Sequence, residues 1–130
     1  MERFIVTAAL PYANGPIHIG HIAGAYLPAD IFVRYQKLKN NEVVFVCGSD
    51  EHGAAITLRA KKEGQTPHKI IEKYHKKNEN SFKSLNINFS IYHRTSSKLH
   101  HDTAQQFFKA LHSKNVFIKK KYNQFFDEEA

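Results

Sequence analysis

The sequence has a single cysteine, Cys47, in 130 residues. One thiol can form no internal disulfide and cannot supply a cysteine-rich zinc knuckle, which excludes disulfide-stapled folds and fits a reducing, cytoplasmic setting. Long apolar runs are also missing. Nothing approaches the roughly 20 residues that a membrane-spanning helix requires. The apolar stretch at residues 4–10 is short, has Glu2 ahead of it and leads into no small-residue cleavage site, so it does not read as a secretion signal. Acidic residues are scarce beside basic ones: 12 Asp plus Glu against 19 Lys plus Arg, a net charge of +7. A basic excess attracts phosphate-rich partners. Fifteen of those cations are lysines and asparagine is frequent, the composition of an AT-biased coding sequence, so charge alone leaves a nucleic-acid partner open. There is no repeat, low-complexity tract or linker. With 42% hydrophobic and 24% charged residues, the chain fits one globular domain.

The order of elements can be read from periodicity. Residues 3–9 form a continuous apolar run with β-branched members, as expected of a strand buried on both faces of a parallel sheet. A loop rich in Pro, Gly and His follows. Ile22, Tyr26, Ala29, Val33 and Leu38 then recur at helical spacing over residues 19–39. Pro28 must kink or split that helix, because it removes a donor and crowds the preceding turn; Asn40 and Asn41 close it. Residues 42–47 are a second buried-strand candidate, ending in Gly48-Ser49-Asp50-Glu51-His52-Gly53. A helix over residues 54–63 stops at Gly64. Thr66 and Pro67 open another, which runs to about Leu85 with Ile70, Ile71, Tyr74 and Phe82 inward. Ile87, Phe89 and Ile91 alternate in a short strand or extended arm over residues 86–92. Ser96 or Ser97 caps a helix through His112, with Leu99, Phe107, Phe108 and Leu111 inward. Residues 116–126 read as extended. The sum is βαβα, the start of a doubly wound α/β sheet, whose ligands sit at the carboxyl ends of the strands. Both glycine-bearing loops fall there.

The first loop, Pro11-Tyr12-Ala13-Asn14-Gly15-Pro16-Ile17-His18-Ile19-Gly20-His21, carries a mixture that packing does not require. Gly15 and Gly20 permit close approach to a ligand. If Ile19 opens the helix, its first amides favour an anion in the loop mouth. His18 and His21, three apart, share one face there and could hold phosphate oxygens. Gly20 between them leaves room for a flat base. The pattern is neither a dinucleotide fingerprint nor a P-loop. In the second loop, Asp50 could hold an ammonium group, cap the next helix or join a metal site, though adjacent Asp50, Glu51 and His52 are poorly spaced as ligands. His100 and His101 read as solvated helix surface, the Lys69, Lys73, Lys76 and Lys77 face as solvated, and Cys47 as a buried strand residue.

The run Ala8-Ala9-Leu10-Pro11-Tyr12-Ala13-Asn14-Gly15, with His18-Ile19-Gly20-His21, resembles the signature of class I aminoacyl-tRNA synthetases in its methionyl form. Val46-Cys47-Gly48-Ser49-Asp50-Glu51-His52-Gly53 resembles the second block of the same family. The resemblance spans essentially the whole chain. It implies the first half of a Rossmann-like, HUP-type nucleotide-binding parallel sheet over residues 1–115, left incomplete, with residues 116–130 starting the connective insertion. It implies activation of methionine by ATP with Mg2+, then transfer to tRNA(Met), in the cytoplasm. His18 and His21 would be catalytic. Pro11, Asn14, Gly15 and Gly20 would join them around ATP, with Gly20 under the adenine. Ala9, Leu10, Tyr12 and Asp50 would bind methionine, Leu10 through its backbone and Asp50 through its carboxylate.

The family's second signature, Lys-Met-Ser-Lys-Ser, is absent; Lys119, Lys120 and Lys121 do not replace it. The aromatic wall of the methionine pocket, the zinc knuckle and the anticodon-binding domain are absent too. No metal site is expected here, and zinc would belong only to the missing insertion. The chain therefore reads as an N-terminal part, lacking full activity alone. Two other readings stand beside it: another nucleotidyltransferase with a His-x-Gly-His loop, such as a pantothenate synthetase-like enzyme, or a non-catalytic fragment or paralogue that binds nucleic acid or a partner.

Overall fold

The structure is a computed structural model that describes residues 1–123 and Phe125. Three strands, β1 (Arg3–Thr7), β2 (Glu42–Ser49) and β3 (Ile91–Arg94), form a parallel sheet in the order β1-β2-β3. The register sets Thr7 beside Val46 and Gly48 beside His93. The first crossover comprises α1 (Ile19–His21), a π-helical turn (Ile22–Tyr26) and α2 (Leu27–Leu38); the second comprises α3 (Ala54–Lys62) and α4 (Pro67–Ser84). The last helix, α5 (Lys98–Ser113), follows β3. Residues 116–123 have no regular secondary structure, and the rest of the predicted extended segment lies outside the described residues apart from Phe125.

The π-helical turn is the answer to Pro28. Proline lacks the N–H and would press its ring on the carbonyl four residues back. The turn before it widens instead, so that the Leu27 N–H reaches the Ile22 carbonyl five residues back. That widening splits the helix as the sequence requires. Leu38, counted on its apolar stripe, is exposed beyond the reach of the core. Asn40 closes α2 in the left-handed conformation at φ 59°.

The crossovers bury one face of the sheet. Phe45 and Cys47 of β2 pack with Ile22, Tyr26, Val33, Phe82 and Ile87 in the main apolar cluster. A second cluster joins α3 and α4 through Ile56, Ala60, Ile70, Ile71 and Tyr74, and Ala13 of the first loop is seated in it. Two expectations are corrected here. Among the described residues the strands are covered on one face only: Ile5, on the other face, is 79% exposed, and its register partner Val44 and, on β3, Ile91 are exposed as well. Leu99, Phe107, Phe108 and Leu111 of α5 are also exposed, although Ser97 does cap the helix through its Oγ and the His100 N–H. Periodicity identified an apolar face but not its partner; among the described residues Phe117 stacks on Phe108, with ring centroids 4.8 Å apart, and the face otherwise stays open. The third strand also starts later than the alternation implied, because Ile87 and Phe89 pack into the core ahead of it.

Gly48 lies on β2 directly beside His93 of β3. A Cβ built on it would stand 2.5 Å from the His93 carbonyl oxygen and 2.9 Å from its carbon, both backbone atoms that cannot rotate away. Gly48→Ala is therefore expected to destabilise the protein by about 1–3 kcal/mol, the usual cost of overpacking. Urea unfolding measures this; an unchanged midpoint would mean that β3 can retreat at no cost.

Candidate active site

The site is assembled by extending the β1–β2 pairing beyond the strands. The Ala8 N–H reaches the Val46 carbonyl at 3.2 Å, the Asp50 N–H reaches Pro11 at 2.8 Å, and the Ala13 N–H reaches Asp50 at 2.8 Å. Tyr12 and Asp50 thus form an isolated parallel bridge. Pro11 and Ala13 are buried by this closure while Tyr12 between them stays exposed. The two loops singled out in the sequence are one backbone unit.

His18 is the N-cap of α1 and is extended, with φ −127° and ψ 173°. Its Nδ1 accepts the Gly20 N–H at 3.1 Å, and its own N–H donates to His21 Nδ1 at 3.2 Å. This is a capping box built from two imidazoles, and the rings stack with centroids 3.7 Å apart. Because each Nδ1 accepts a backbone N–H, each neutral ring must carry its proton on Nε2. Both histidines are exposed, so two Nε2–H donors are offered to solvent at one helix start. Gly20 serves the same geometry: a Cβ there would lie 3.1 Å from His18 Nδ1 and Cε1 and crowd the ring out of its cap.

The remaining candidate residues in and just before the first loop fall into two cavities, and Asp50 lines neither. Ala9 and Leu10 line one of about 460 Å³, at the carboxyl ends of the strands, with Gly48, His93, Arg94 and His100. Pro11, Tyr12, Asn14, Gly15 and His21 line a smaller cleft of about 150 Å³. Tyr12 thus lines the cleft it shares with His21, held there by its parallel bridge to Asp50. Asp50 does not cap α3, whose N-cap is Gly53 at φ 113° with no side-chain bond. Its Oδ1 instead accepts the His52 N–H at 3.3 Å, within its own loop. Among the described residues, no group of three His, Cys, Asp or Glu converges as a metal site.

The model of the class I tRNA synthetases (M) matches residues 4–130. The chain belongs to that family. Methionine–tRNA ligases of Bacteroides fragilis and Chloroherpeton thalassium are 57% and 53% identical to this synthetase chain over 129 residues, 99% of its length. The chain spans only 19% and 18% of those relatives. A solved Mycobacterium tuberculosis methionyl-tRNA synthetase in complex with methionyl-adenylate superposes with a TM-score of 0.85 at 26% identity, covering 88% of this chain and 22% of that one. The fold is thus that of the Rossmann-like synthetase domain, with three strands of its sheet present.

Directly behind Asp50 the synthetase chain buries a charge cluster that motif reading passed over. Glu51 is 4% exposed. It receives Arg94 Nε at 2.9 and 3.0 Å, Ser49 Oγ at 2.8 Å and the Ser96 hydroxyl, while its N–H donates to Thr95 Oγ1 at 2.8 Å. Arg94 also donates to Glu72. Burial works against the Arg94 charge, but the bonds to Glu51 and Glu72 outweigh it and raise its pKa. Ser49 gives its single proton to Glu51, so it must accept from His75 Nδ1, 2.7 Å away. The only sequence signal for this cluster was a buried strand ending in Ser-Asp-Glu. His52 and His101 also meet, Nε2 to Nε2 at 3.3 Å, and His100 reaches the larger cavity, so this pair is not simply solvated surface.

Burial holds the His75 pKa below its usual 6.5, helped by Arg94; Glu51, Glu79 and Glu72 pull the other way without prevailing. The folded protein therefore binds fewer protons here than the unfolded chain. The stability that neutral His75 contributes is full above pH 6.5 and is lost as pH falls through that value to the lower folded one. A His75→Gln variant is expected to lose less stability than the wild type between pH 7 and 5, measured by urea unfolding across that range. Parallel pH profiles would show that His75 is not held neutral.

Proposed function

We propose that this chain carries the ATP- and methionine-facing half of a methionine–tRNA ligase site. The whole enzyme activates methionine to methionyl-adenylate with ATP, supplied as its magnesium complex, and transfers the methionyl group to tRNA(Met). The observation that carries this reading is the His18–His21 capping box, which fixes two Nε2–H donors side by side at the mouth of a strand–loop–helix turn. A methionine carboxylate oxygen attacks the α-phosphorus in line, and the bond to the bridging oxygen of pyrophosphate breaks. Charge grows on the phosphoryl oxygens, where fixed donors lower the barrier most. Neither histidine exchanges a proton in that step; both position and stabilise.

The other roles follow from the cavities. The cavity of about 460 Å³ beside Ala9 and Leu10 is large enough for a methionine side chain. Asp50, half-buried and next to Ser49 of that lining, is assigned the ammonium group, and the Leu10 backbone the same group. Pro11, Asn14, Gly15 and Gly20 are assigned to the nucleotide, and Ala9 and Tyr12 to the methionine, Tyr12 from the cleft it shares with His21. The methionyl-adenylate named for the mycobacterial structure joins the two ligands that these cavities would hold apart. Residues 1–115 are assigned to the catalytic domain and residues 116–130 to the start of its insertion, in a cytoplasmic enzyme.

In the full-length protein, His21→Ala is expected to lower kcat of methionine-dependent ATP–pyrophosphate exchange about 100-fold, the usual loss for one fixed donor, with the KM for methionine within about 2-fold. Equal losses in kcat and methionine affinity would reduce His21 to a structural cap. Exchange dependent on another amino acid would overturn the assignment of substrate.

A further inference from the structure

We propose that Asn78 is a positioning residue for the His18–His21 pair, acting through the backbone of the loop that precedes them; its role in catalysis rests on the function proposed above. Asn78 lies on the inward stripe of α4, where Ile70, Tyr74 and Phe82 at four-residue spacing are apolar and buried. It is the polar exception, and it is 1% exposed. A buried amide is unfavourable unless it is bonded, and an aliphatic residue would suit the stripe better.

The bonds of Asn78 explain the exception. Its Oδ1 accepts the Ile17 N–H at 3.0 Å, and its Nδ2 donates to the Gly15 carbonyl at 3.3 Å. The two partners fix the amide orientation, since one is a donor and the other an acceptor. They straddle Pro16, which has no N–H to offer. The loop here has no strand or helix of its own, so α4 holds it from 61 residues away. The next residue after Ile17 is His18, whose N–H holds His21 Nδ1. The line of fixation runs from α4 through Asn78, Ile17 and the His18 backbone to both imidazoles. Ile17 is also packed against the main apolar cluster, which keeps the loop near its place without fixing its orientation. Losing the amide should therefore misplace the donors while the fold survives.

The test uses the full-length protein with Asn78→Ala and Asn78→Asp. Both remove the bond to Gly15, and Asp keeps an acceptor for Ile17. Kinetics are normalised to active sites by single-turnover titration, so a loss through unfolding cancels. Each variant is expected to lower the per-site kcat of methionine-dependent exchange at least 10-fold, with the KM for methionine within about 2-fold. An unchanged per-site kcat in either variant would overturn the proposal. A crystal structure of Asn78→Ala gives a readout independent of activity: residues 15–18 displaced and the imidazole pair parted support it, and an unmoved pair overturns it. If the wild type shows no methionine-dependent exchange, the proposed function fails, and the crystal structure alone decides the role of Asn78.

Discussion

The closure of one loop on the other, through Asp50, is the constraint on which the site depends. A parallel sheet ordinarily ends where its strands splay, and residues beyond it are free to differ in position. Here the Asp50 backbone both donates to Pro11 and accepts from Ala13, so the ladder is carried past the end of β1. Two consequences follow. Ala13 is driven into the apolar junction of α3 and α4, which anchors the loop by burial as well as by bonds. The chain after it must then turn back over α4 to reach the start of α1, and Asn78 meets it on the way. The histidines are thus held by both crossovers, although they belong to only one.

The charge cluster behind Asp50 has a comparable purpose. Burying Glu51 unpaired would be prohibitive, and removing a partner of a buried ion pair typically costs about 3–5 kcal/mol. Arg94 comes from the end of β3 and Glu72 from α4, so the cluster joins β2, β3 and α4 at the edge that bears the site. Such a pair contributes little net stability over an apolar replacement, but its geometry is specific. The loop that carries Asp50 is therefore held by directional bonds where apolar packing would let it slide.

Much of the fold was legible because local signals and tertiary needs agreed. Thr66 with Pro67, Ser97, and Asn40 at the end of α2 act as the sequence suggests, since capping is decided within one turn. Pro28 foretold an interruption but not its form, because widening to a π turn depends on what the flanking residues pack against. In the site, the His-Ile-Gly-His spacing put His18 and His21 on one helix start, yet the direction of their protons came only from the backbone bonds to Nδ1. Asn78, Glu72 and Arg94 were illegible for one reason. Each acts on residues tens of positions away, and nothing in its own neighbourhood marks it.

The strand sequences hold a last piece of information that the described packing does not use. In a sheet with one wet face, β1 and β2 should alternate apolar and polar residues. Instead Ile5 and Val44 are as apolar as their inward neighbours Val6 and Phe45, and Ile91, beside Val46, adds a third exposed aliphatic residue on β3. The same mismatch recurs on α5, whose Leu99, Phe107, Phe108 and Leu111 lie open. An exposed aliphatic side chain forgoes roughly 1.5–3 kcal/mol of burial free energy, so each of these residues is a poor choice for a surface. The larger cavity opens on this same side, between Gly48, His93 and His100. A cover on that face would bury the apolar row and at the same time wall the cavity.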